Sequence, residues 1–129
     1  AIYGSQNYES LLTLVRAACD AESIEVSFAQ SNHEGAIVDR IQQAWFDGVD
    51  GIVMNPAAYT HTSVAILDAL KATAIPTVEV HISDVSTREA FRHHSYVSLA
   101  AKHTIIGHGI DGYREGIEWL ARELRAGRL

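Results

Sequence analysis

Thr77-Val78-Glu79-Val80-His81-Ile82-Ser83 decides how this chain folds. Pro76 stands immediately ahead of it, and Val78 and Val80 are β-branched residues that suit a pleated surface packed on both sides. The stretch therefore predicts a short buried strand that ends abruptly in polar groups. Alternation sends Glu79 and His81 to one face. A carboxylate two positions from an imidazole can hold its tautomer and favour its protonated form, which is how a general acid is prepared. The same pair also suits a solvated strand end, so the surrounding segments have to decide.

Working outward, a second apolar run, Ile52 to Met54, ends in Asn55-Pro56-Ala57-Ala58-Tyr59-Thr60-His61-Thr62-Ser63 and turns into a helix over Ser63 to Thr73. Gly48 and Gly51 bracket the entry to that strand. Ahead of it the spacing predicts a helix over Ala36 to Asp47 that buries Ile37, Ile41, Ala44 and Trp45. Earlier still, Ser5 or Asn7 caps a helix to Ala21 with Leu11, Leu12, Val15, Ala18 and Cys19 as its apolar stripe. Ile24 to Gln30 reads as a strand with Ile24, Val26 and Phe28 on one face. Beyond the opening stretch, a last strand at His103 to Ile106 leads through Gly107-His108-Gly109 into a helix from Asp111 to Arg125. Its inward residues are Tyr113, Ile117, Leu120, Ala121 and Leu124.

Strands alternating with helices, each strand a short Val/Ile-rich run, imply an α/β fold: a parallel sheet flanked by helices on both faces. In such a sheet ligands bind beyond the carboxyl ends of the strands. Those ends are Gln30 to Glu34, Met54 to Pro56, Val80 to Ser83 and Ile106 to His108, so amides and imidazoles converge on one rim.

With 129 residues, no linker and no low-complexity segment, the chain is expected to be a single domain, residues 1–129. A net charge of -6, from 10 basic and 16 acidic residues, disfavours broad contact with nucleic acid and points to a small-molecule partner. The one cysteine, Cys19, reads as a core thiol in a reducing compartment. No apolar run nears the roughly 20 residues of a membrane span and no secretory leader is seen, so the expectation is a cytoplasmic protein. Seven histidines invite a metal, but there is no His-Glu-x-x-His and no cysteine pair. Phosphate-loop and dinucleotide fingerprints are missing too, and neither metal nor cofactor is expected.

Single residues stay ambiguous. Asn55, before Pro56, suits a turn that satisfies its own backbone, or a donor and acceptor for a hydroxylated ligand. His61 reads as a residue of a helix start or as a ligand donor, and Ser83 with its neighbouring amides suits a carboxylate. Asp68 is a solvated charge unless a neighbouring subunit meets it. Arg88 and Arg92, with Glu89, form a surface cluster or, above a strand-end cleft, a seat for an oxygen-rich anion.

Taken in order, Gln30 to Gly35, Asn55 to Ser63, Glu79 to Ser83 and Arg88-Glu89-Ala90-Phe91-Arg92-His93-His94-Ser95-Tyr96 resemble type II 3-dehydroquinate dehydratase from Tyr3 to about Tyr113. The resemblance implies a flavodoxin-like fold, a trimer-based dodecamer and cofactor-free dehydration of 3-dehydroquinate to 3-dehydroshikimate in the shikimate pathway. By the same resemblance, Tyr3 is the base at C2, needing a nearby cation because a phenol ordinarily titrates near 10. His81 is the acid for the C1 hydroxyl, and Glu79 orients it. Asn55, with the Ile82 and Ser83 amides, holds the substrate carboxylate and C1 region. His61 and Arg92 hold ring hydroxyls, and Asp68 reaches a neighbouring subunit's site. The resemblance also implies a first, central strand ending in a Gly-Pro-Asn-Leu-Asn-like turn, and a lid arginine ahead of the tyrosine. Neither has a counterpart here, so that strand and lid are expected to lie outside these residues, leaving two strands without a shared neighbour.

Two readings of other classes compete: a flavodoxin-like module that binds a small acid without chemistry, and an inactive structural subunit. Tyr3, the Glu79 and His81 pair and Arg92 favour the enzyme. A Schiff-base dehydratase is disfavoured, because Lys71 and Lys102 have no motif around them.

Overall fold

Three apolar runs pair side by side in the computed structural model, which describes residues 5–83 and 89–129. Ile52–Met54 (β1), Thr77–His81 (β2) and His103–Ile106 (β3) form a parallel sheet in the order β1-β2-β3. The register sets Glu79 between Met54 and Thr104, and His81 beside Ile106. β2 is buried at every position, as its Val-rich sequence requires.

Alternation along the strands divides the core in two. Val53, Val78, Val80 and Ile105 point to the face covered by α1 (Ser5–Ala21) and α4 (Asp111–Arg125), where they meet Ile117 and Leu120. Ile52 and Met54 point the other way, into a cluster with Ile41 of α2 (Glu34–Phe46), Ile66 and Leu70 of α3 (Val64–Thr73) and Val97. The fold is therefore α/β and flavodoxin-like, with helices on both faces of a parallel sheet. Glu79 and His81 lie on the α3 side of β2, opposite Val78 and Val80. Cys19 is a buried free thiol in the α1 core, and burial pushes that thiol up. Among the described residues no helix is long and apolar enough to cross a membrane.

α4 approaches β2 closely because glycine faces it. A Cβ on Gly112 would lie 3.0 Å from Val80 Cγ1 and 3.4 Å from Ile105 Cγ2. Gly112→Val is expected to lower stability by about 1–3 kcal/mol through overpacking, which outweighs a helix-propensity gain of less than about 1 kcal/mol. Urea unfolding checks it: a midpoint equal to or above the parent's would mean that α4 can move off the sheet at little cost.

Two expectations are corrected. Ile24 to Gln30 is not a paired strand: β1 is hydrogen-bonded to β2 alone, and Val26 and Phe28 are 37% and 38% exposed. Only Ile24 of the three reaches the core, while Phe28 lies under the Arg16 guanidinium at 5.1 Å. A strand needs a ladder partner as well as alternation, and among the described residues this segment has none. Trp45 is 56% exposed and packs edge-on against the exposed Phe46: it keeps the stripe's spacing, four residues after Ile41, but stands in the last turn of α2, past Ala44, the last residue there that the fold buries.

Candidate active site

β2 ends at the rim, and its last inward residues form the site's polar centre. Glu79 is fully buried and His81 is 5% exposed. His81 Nε2 is bonded to Glu79 Oε2, which leaves Nδ1 as the nitrogen turned away from the carboxylate. Burial pushes the Glu79 carboxyl up, but hydrogen bonds from His81, Ser98 and Thr60, with the His81 charge, outweigh it and bring the carboxyl down from 4.5 to about 2. The charged carboxylate is thus the state this pocket is built to hold.

The hydroxyls around Glu79 were not legible as site residues. Thr60 Oγ1 donates to Oε2 at 2.7 Å and Ser98 Oγ to Oε1 at 2.5 Å, while Ser95 Oγ reaches Oε2 at 3.0 Å and Thr104 Oγ1 reaches Oε1 at 3.4 Å. Thr60 and Ser95 both fall inside motifs read above, but serine and threonine are common turn residues and carry little signal alone.

Asn55 follows β1 directly. Its Oδ1 accepts the Ala57 N–H at 2.9 Å, the turn role foreseen for it, and it is half-buried at the rim. Ser63 caps α3 by accepting the Ile66 N–H at 2.9 Å, which fixes the short 3₁₀ turn Ala57–His61 ahead of it. At the end of that turn His61 Nδ1 contacts the His94 carbonyl at 2.7 Å, and its ring meets Phe91 edge-on at 6.4 Å. Arg92, on the 3₁₀ turn Ala90–His93, donates from Nε to Glu89 at 2.6 Å and lies 5.0 Å from the centre of the Phe91 ring.

Asn55, His61 and Arg92 share one cavity of about 390 Å³ with Ser31, Asn32 and Tyr59. Tyr59 donates to the Asn32 carbonyl at 2.8 Å and ties the Gln30 to Gly35 motif to this wall. His81 and Glu79 are not among the cavity's lining residues. Ile82 and Ser83 continue β2 half-buried, and the Gly109 N–H donates to the Ile82 carbonyl at 3.1 Å. Asp68 is exposed on α3 and does not line the cavity. Tyr3 and Arg88 lie outside the described residues.

The sequence profile of dehydroquinase class II matches residues 1–121. A 3-dehydroquinate dehydratase of Acidovorax sp. (strain JS42) is 49% identical over 125 residues, covering 94% of this chain and 84% of that protein. One from Corynebacterium glutamicum (strain R) is 50% identical over 120 residues, 93% of this chain and 82% of that protein. The crystal structure of type II dehydroquinase from Butyrivibrio crossotus superposes with a TM-score of 0.87 at 50% identity, over 92% of this chain and 82% of that one. With a profile spanning most of its length and relatives near half identity, the chain belongs to the class II dehydroquinase family.

Proposed function

We propose that the chain dehydrates 3-dehydroquinate to 3-dehydroshikimate, as its place in a family of dehydratases suggests, and that this is a step of the shikimate pathway. The observation that carries the chemistry is the buried Glu79 and His81 pair at the end of the middle strand. Tyr3, as phenolate, takes a proton from C2, and the electron pair moves into the neighbouring ketone as an enolate. Collapse of the enolate expels the C1 oxygen, which takes a proton from His81 and leaves as water. With Nε2 committed to Glu79, that proton comes from Nδ1.

Asn55 and the Ile82 and Ser83 amides hold the substrate carboxylate and C1, while His61 and Arg92 hold ring hydroxyls. The shared cavity of Asn55, His61 and Arg92 supports the last two assignments. Asp68, exposed on α3, acts across a subunit contact in a trimer-based dodecamer. Appearance of the conjugated enone by ultraviolet absorbance tests the reading. Tyr3→Phe is expected to lower kcat by about 10²–10⁴-fold, the range for loss of a general base. Parent turnover that survives this change within about tenfold would assign the base elsewhere, and no turnover by the parent would leave a small-acid binding module.

A further inference from the structure

Glu79 has more donors than the orientation of one imidazole requires. Oε2 faces His81, Thr60 and Ser95, and Oε1 faces Ser98 at 2.5 Å and, more distantly, Thr104. These hydroxyls come from separate places: the turn before α3, the stretch after the Arg92 turn, and β3. Ser98 and Ser95 are themselves joined, the Ser98 N–H donating to Ser95 Oγ at 3.1 Å. Their stretch is pinned by the Tyr96 N–H on the Thr60 carbonyl at 2.7 Å and by the fully buried Val97. Ser98 itself is an exposed residue that reaches inward, and it supplies the one short hydrogen bond recorded on Oε1.

We propose that Ser98 is a positioning residue of the dehydration: its hydroxyl fixes the Glu79 carboxylate in place, and through Glu79 it holds the His81 ring with Nδ1 turned away from the carboxylate as the nitrogen that delivers the proton. The inference rests on the function proposed above. A hydrogen bond to a buried charged acceptor is among the stronger kinds, and among the described residues Oε1 is otherwise reached by the long Thr104 contact. The charge-bearing groups of the neighbouring elements are few. The turn before α3 offers His61, bonded to the His94 carbonyl, and the 89–99 stretch offers the Arg92 and Glu89 pair with His93 and His94. α3 carries Asp68 and Lys71, both exposed, while β1 and β3 set the uncharged Met54 and Thr104 beside Glu79. Among the described residues, His81 is the titratable side chain bonded to Glu79.

Ser98→Ala, Ser98→Thr, His81→Ala, the Ser98→Ala and His81→Ala double variant and the parent are compared by kcat and KM. Ser98→Ala is expected to lower kcat about tenfold with KM within about twofold, as for loss of one charge-assisted hydrogen bond. Ser98→Thr, which keeps a hydroxyl, restores kcat, and adding Ser98→Ala to His81→Ala costs less than about twofold more, because the residue acts through the imidazole. Thermal unfolding of the alanine variant is expected a few degrees below the parent, because the hydroxyl bonds a buried carboxylate, with the protein still folded at the assay temperature. An unchanged kcat in a folded Ser98→Ala protein, or an equal fold loss when Ser98→Ala is added to His81→Ala, would overturn the inference while leaving the dehydratase reading intact. No turnover by the parent would instead overturn the dehydratase reading and the inference with it.

Discussion

His81→Ala is expected to lower kcat for 3-dehydroquinate about a thousandfold, with KM within a few fold of the parent and the fold retained. General acid–base groups contribute about 10²–10⁴-fold, and no other imidazole near the site is placed to substitute. His61 is held against the His94 carbonyl, and the Arg92 guanidinium is paired with Glu89 and does not give up a proton near neutral pH. Truncation does not strip Glu79 bare, because the hydroxyls of Thr60, Ser95, Ser98 and Thr104 still surround it. What is lost structurally is one charge-assisted hydrogen bond, about 1.5–3 kcal/mol, within a total of about 5–15 kcal/mol for a domain of this size. The defect is therefore chemical, not a collapse of the fold. Steady-state turnover and a urea curve on the same preparation check it. A folded His81→Ala protein with kcat within tenfold of the parent would remove His81 from the acid's role.

The sheet was legible where local chemistry and tertiary placement agree. Pro76 followed by alternating valines gives β2 its start and its two faces, and β1 and β3 are equally compact β-branched runs between turn residues. The segment after α1 shows the limit. Ile24, Val26 and Phe28 alternate as a strand should, yet pairing depends on a neighbour that local sequence does not contain, and Val26 and Phe28 stay half in solvent. Trp45 shows another: it keeps the stripe's spacing, four residues after Ile41, yet it stands in the last turn of α2, past the last residue there that the fold buries. In the site, alternation put Glu79 and His81 on one face, but a solvated strand end fitted them too until the fold buried both. The hydroxyls that hold Glu79 come from positions 16 to 25 residues away in sequence, and only folding brings them to one carboxylate.

That carboxylate also sets an acid limit on stability. The folded carboxyl titrates at about 2 and the unfolded one near 4.5, so the unfolded chain takes the proton first as pH falls. The stabilisation is complete above the unfolded value and is lost as pH descends through the folded one. Each pH unit of that separation is worth about 1.4 kcal/mol, so the parent should lose about 3 kcal/mol through Glu79 between pH 4.5 and 2. Glu79→Gln has no such proton to take up. At neutral pH its amide sets two N–H donors among the hydroxyls and His81, leaving buried donors opposed at a cost of about 1–3 kcal/mol. The parent is then more stable at pH 7, and the gap closes as pH approaches 2. Asp111, which is exposed, and Glu123, which is half-buried, have carboxyls also held low by Arg114 and Arg128, but both are present in both proteins and drop out of the difference. Urea midpoints of the two proteins at pH 7, 4.5, 3 and 2 decide it. A gap of constant size would mean that Glu79 does not carry the acid transition, whereas convergence would assign that transition to the buried charge on β2.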